Sequence, residues 1–149
     1  MASDPFTQVY DAMVAEFKAE NLKIIDWNSS RDPEPISPTD AELPELQLRP
    51  AGMTGEIGNS SCGSIINRSY QLLINSGDQR AAVLFGVEWR ILKVLQRLKY
   101  GSLDNIVENN VSIDSSQAGL SNSEENRGIK GWTALWNISV QMMFSGADL

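Results

Sequence analysis

The residues with chemistry to offer are mainly carboxylates. Asp26, Asp32, Glu34, Asp40, Glu42, Glu45, Glu88, Asp104, Glu108, Glu124 and Glu125 are spread along the chain. Acid–base work needs two of them held at a fixed separation in a pocket. Most fall in segments that read as loops, or on the polar side of an element, where a solvated surface is the expected place. Glu88 is the exception. It sits between Val87 and Trp89 inside a helical pattern, and a structural ion pair with Arg68 or Arg90 is its expected role. Cys62 is the single cysteine, beside Ser60, Ser61 and Gly63, and there is no histidine. That excludes an intramolecular disulfide, a cysteine-based zinc site, and Ser-His-Asp or Cys-His catalysis. Without imidazole nearby the Cys62 thiolate lacks its usual partner, so the residue reads as loop or packing.

Gly52, Gly55, Gly58 and Gly63 recur in a way that suggests a phosphate cradle. Such a cradle needs a helix N-terminus and a lysine behind it; a strand pattern follows instead, so a loop is expected. The segment from Asp32 to Glu42 is broken by proline and lacks the glycine and spacing of a calcium loop. No cofactor, no metal and no enzymatic activity are expected. The net charge of −7 and pI near 4.5 argue against a general nucleic-acid binder, which needs a basic face to displace counterions.

The elements that would position these side chains are legible from periodicity. Asp4-Pro5 opens a helix with an N-cap acceptor and proline in the first turn. Phe6, Val9, Tyr10, Met13, Val14 and Phe17 then follow helical spacing to about Asn21. Leu22 to Trp27 is a short β-prone run. Residues 28–42 carry Pro33, Pro35 and Pro38 among acids and read as an extended connection. Leu43 to Arg49 is a short strand, and Ile66 to Ile74 a longer one with Tyr70, Leu72 and Ile74 on one face. Gln79 to about Leu98 is a second amphipathic helix, with Gly101 at its expected C-cap. Gly86 inside it suggests a close approach of helix to sheet.

Asn105 to Ile113 is a weaker strand, and residues 114–130 read as a long polar loop with too little apolar surface to fold alone. From Trp132 to Phe144 every second residue is apolar: Trp132, Ala134, Trp136, Ile138, Val140, Met142 and Phe144. At about 3.3 Å per residue this strand spans roughly 43 Å, long enough to bend or to project past its sheet.

The order predicts an α+β fold: a mostly antiparallel sheet, two amphipathic helices packed on one face, and a long C-terminal β-hairpin. A single domain over 1–149 is expected. The longest apolar run, Ala81 to Val87, is far short of the roughly 20 residues that a membrane helix needs, and the N-terminus lacks a basic start followed by an apolar core. No membrane association and no secretory signal are expected. Asn28, Asn59, Asn67 and Asn137 begin N-x-S matches that read as chance in a chain rich in Asn and Ser.

This layout resembles the tail terminator (tail-completion) proteins of long-tailed bacteriophages. The likeness rests on the N-terminal helix and acidic connection, then LQLRPAG (Leu46–Gly52) and INRSYQLLI (Ile66–Ile74). It continues with a helix entered through SGDQR (Ser76–Arg80) and the terminal GWTALWNISVQMMF (Gly131–Phe144). It implies a structural virion protein that forms a hexameric ring on the head-proximal end of the tail tube and joins the tail to the head and neck. The implied partners are copies of itself, the tail tube protein, and head–tail connector or neck proteins. No sequence-specific nucleic-acid binding is implied, although DNA would pass through the ring. The implied location is the virion, and the host cytoplasm during assembly. The resemblance supplies no catalytic residues.

A ring subunit needs surfaces that reach its neighbours. Gly119, Asn126, Arg127 and Lys130 in the polar tract, with Arg49, are the candidate assembly interface. Other readings are a neck or minor tail protein, and a non-viral protein–protein binding module using Trp132 or Trp136. The remaining alternative, a small enzyme around Glu88, has only scattered carboxylates to build on.

Overall fold

The computed structural model describes residues 4–25, 27, 44–60, 63–99, 108–121 and 131–144. The 28–42 connection, Cys62 and Gly101 lie outside the described residues. Helix α1 (Pro5–Ala19) is followed by strands β1 (Lys23–Ile25), β2 (Glu45–Ser60) and β3 (Gly63–Asn75). Helix α2 (Ala81–Arg97) and strands β4 (Glu108–Ser121) and β5 (Gly131–Phe144) complete the order. Asp4 caps α1 by accepting from the Thr7 amide at 2.9 Å, with Pro5 in the first turn. Asn21, at φ 60°, ends it in the left-handed region that Asn tolerates, and the Leu22 amide returns to the Phe17 carbonyl at 3.2 Å.

The five strands lie in the order β1-β2-β3-β5-β4, with β1 parallel to β2 and every other pair antiparallel. Helix α2 therefore connects two strands, β3 and β4, that run the same way with β5 between them. Both helices pack on one face of the sheet. Val9, Met13 and Phe17 of α1 and Leu84, Ile91 and Val94 of α2 meet Leu46, Leu48, Leu72, Ile74, Ile138 and Val140 in a continuous core. The C-terminal alternation holds as expected: Ala134, Trp136, Ile138, Val140, Met142 and Phe144 are buried, and the residues between them are half-buried on the helix-free face. Arg97 ties α2 to α1 through Glu16 at 2.9 Å and Glu20 at 3.0 Å.

Two expectations are corrected. The glycine-rich stretch after Arg49 is not a loop: β2 continues to Ser60 and forms one limb of an arm with β3. Backbone pairing to β3 replaces the side-chain packing that glycine cannot give. Gly55 lies so close that an added Cβ would stand 2.9 Å from Ile66 Cα. Likewise the polar loop expected from Asp114 begins as strand, since β4 runs to Ser121 along β5. Here too the partner decides. Ser112 and Ser139 hydroxyls meet at 2.9 Å, Ser139 donates to Asp114 at 3.1 Å, and the Asn137 amide donates to Ser115 at 2.8 Å. A row of small polar side chains suits the helix-free face of a sheet better than its composition suggests.

Each of these strands carries a bulge. In β2, Pro50 pairs with Tyr70 and Met53 with Arg68, so Ala51 and Gly52 stand opposite Ser69 alone. In β4, Ile113 pairs with Ile138 and Ser115 with Asn137, leaving Asp114 as the extra residue. An extra residue inverts the alternation beyond it. Leu46 and Leu48 face the helices, and past the bulge Met53 and Gly55 do so.

Candidate assembly surface

The start of β5 is locked to the corner between β3 and α2. The Ser76 hydroxyl and amide both donate to the Trp132 carbonyl, at 2.8 and 3.0 Å, and the Trp132 amide donates to Asp78 O at 3.0 Å. The Trp132 indole donates to Gln79 O at 3.0 Å. Trp136 is buried, and its indole donates to Glu88 Oε2 at 2.8 Å. Both tryptophans are thus structural, and Trp136 supplies the partner of Glu88. The expected pairing with Arg68 or Arg90 gives way because each arginine is engaged elsewhere. Arg68 lies 5.6 Å from the Phe6 ring centroid, and Arg90 donates to the Glu20 carbonyl. At the entry to α2, the Arg80 guanidinium and amide hold the Asp78 carboxyl below its usual pKa.

Among the described residues no three potential metal ligands cluster, and no helix is long and apolar enough to cross a membrane. An aromatic concavity of about 280 Å³ is lined by Phe6, Tyr10, Trp27, Arg68 and Tyr70. The Tyr10 hydroxyl is already committed, donating to Leu48 O at 3.0 Å and accepting from the Trp27 amide at 3.2 Å. Burial raises the Tyr70 phenol to about 12, with the nearby Tyr10 adding and Arg68 opposing.

The candidate interface residues divide between opposite sides of the sheet. Gly119 is exposed on β4, paired with Thr133, with nothing within 4 Å of an added Cβ. Arg49 is exposed on β2, its guanidinium bonded to Gln47 at 2.9 Å. Strands β3 and β5 lie between them, so they form no common patch. Asn126, Arg127 and Lys130 lie outside the described residues.

What periodicity missed is where apolar surface is left uncovered. Among the described residues, β4 has no strand on its outer side, and β1 covers β2 only at Glu45, Leu46 and Gln47. From 111 to 120 the β4 edge has no lysine or proline and a single charge, Asp114, so it lacks most devices that keep an edge from pairing. Beside it, α2 turns outward Phe85 (64% exposed), Trp89 (62%) and Leu92, and β4 adds Ile113 and Leu120. Trp89, Leu92, Lys93, Lys99, Val111 and Ile113 line a groove of about 530 Å³ between helix and strand. The Lys93 ammonium sits 6.0 Å from the Trp89 ring centroid. On the β2 side, Met53 (48%) and Ile57 (83%) stand out from the arm. The spacing of Phe85, Trp89 and Leu92 at four and three was the available signal, but it merges with the core stripe of the same helix.

No family model matches the chain, and no curated protein sequence matches it.

Proposed function

We propose that this chain is a non-catalytic structural subunit that assembles with copies of itself. The particular reading we favour is a tail terminator capping the head-proximal end of a phage tail tube as a ring. The observation that carries self-assembly is that, among the described residues, β4 and β2 beyond Gln47 are left uncovered on opposite sides of one molecule, each with exposed apolar side chains. A surface that joins opposite sides of identical subunits builds rings or filaments, not closed pairs. The tail identity rests on the sequence resemblance. On this reading the partners are the tail tube protein and connector or neck proteins, and the place is the virion, reached from the host cytoplasm.

Native mass measurement and electron microscopy of the protein with tail tubes test it. The expected result is a ring at one tube end. Strictly monomeric protein that leaves tube ends bare overturns it. A binding module outside any virion is the second reading, favoured by the exposure of Trp89; Trp89→Ala would then abolish capture of a foreign partner while self-association stays unchanged.

A further inference from the structure

The geometry points to a head-to-tail interface in which the β2 arm of one copy, carrying Met53 and Ile57, lies along β4 of the next and covers the groove between α2 and β4. The inference rests on the self-assembly reading above and adds which surfaces meet.

Strand direction is the first argument. From β2 through β3 and β5 to β4 the direction reverses three times, so β2 and β4 run opposite ways. A copy displaced sideways across the sheet, without being turned over, brings its β2 antiparallel to the neighbour's β4. Edge pairing in that sense is the more stable one.

Register is the second. Met53 pairs with Arg68, Arg68 with Val140, and Val140 with Val111. The same sideways displacement therefore sets Met53 beside the neighbour's Val111, at the mouth of the groove. Pairing side by side keeps paired side chains on one face. Met53 points to the helix side because the β2 bulge has inverted the alternation, and Val111 points there with Val140. Without that bulge the methionine would face the other way. Ile57 follows towards the Lys99 end of the groove.

Coverage of apolar surface is the third. A twofold pairing of β4 with β4 would cover that edge but leave Met53 and Ile57 in water; the head-to-tail arrangement covers both.

The test is cross-linking between two proteins, each also carrying Cys62→Ser. Met53→Cys and Val111→Cys are purified separately, mixed and treated with a short bis-maleimide. The expected yield of covalent dimer in the mixture exceeds that of either protein alone by about tenfold or more, the ratio corresponding to one decade in equilibrium constant. Cross-linking of Val111→Cys with itself, at the level of the mixture, overturns the inference in favour of a twofold contact. A second arm uses Met53→Asp with Ile57→Asp, both at exposed positions. It should raise the concentration for half-assembly at least tenfold while the circular dichroism melt stays unchanged. If the doubly substituted protein assembles like the wild type, this interface is wrong and self-assembly stands. If the Met53→Cys and Val111→Cys mixture does not cross-link and the wild type does not assemble, at any concentration or on tail tubes, both fail together. Should the double variant unfold, the cross-linking result alone decides.

Discussion

Two glycine-to-alanine changes should move stability in opposite directions, for reasons set by what surrounds each glycine. Gly86 lies inside α2, and an added Cβ there meets nothing within 4 Å. The methyl group costs no packing, and alanine is better than glycine in a helix interior by about 1 kcal/mol. With about 2.1 cal/mol/K per residue, unfolding this chain carries roughly 0.3 kcal/mol/K of entropy, so Gly86→Ala should raise Tm by about 3 °C. The expected close approach of helix to sheet at Gly86 is absent, because the residue faces outward. Gly55 is the reverse case. Its added Cβ would clash with the Ile65 carbonyl oxygen and stand 2.9 Å from Ile66 Cα, both of them backbone that cannot swing aside. Gly55→Ala should cost about 1–3 kcal/mol and lower Tm by roughly 3–10 °C. Thermal melts by circular dichroism, at dilutions where the protein is monomeric, measure both. A Gly86→Ala protein that melts at or below the wild-type temperature, or a neutral Gly55→Ala, refutes the reasoning.

Trp136→Phe keeps most of the buried ring but removes the indole N–H that donates to Glu88, and should cost about 1–2 kcal/mol in urea unfolding; the same change in a Glu88→Gln background should cost less. Bonds from Thr7 lower the Asp4 carboxyl from 3.8, so the stability they give is present above about that pH and lost as pH falls through the folded value. Melts of wild type and Asp4→Ala should therefore converge in acid. Tyr70 is raised from 10.0 to about 12, so the unfolded chain gives up this proton first and stability declines as pH climbs from 10 towards 12. Ultraviolet titration should show Tyr70 ionising late, and Tyr70→Phe should flatten the alkaline decline.

Much of the fold was legible because burial on one face forces a period. The stripes of α1 and α2, and the alternation of β5, follow from that requirement alone, and with them the α+β class. The outer strands were harder. Residues 53–58 and 114–120 bury little, so no pattern marks them, and their strand state comes from hydrogen bonds to β3 and β5 that no local sequence encodes. The alternation offers Trp132 and Trp136 as contacts, whereas the Gln79 carbonyl and the Glu88 carboxylate accept from their indoles and tie both to α2 and its entry. Among the described residues Trp89 is the most exposed tryptophan, and the helical pattern around it gives no reason to separate it from the core. Of the candidate interface, Arg49 and Gly119 are exposed on strands at opposite sides of the sheet.

The extra residue at Ala51–Gly52 makes the arm sensitive to length in a way it is not sensitive to identity. Apart from Gly55 and Gly58, many substitutions between 51 and 58 would leave the backbone path intact. Removing Ala51 or Gly52 would rotate everything beyond it by half a turn, carrying the methionine and isoleucine from one side of the sheet to the other. A change that alters no property of any remaining amino acid would thereby exchange which surface of the molecule is greasy and which is wet.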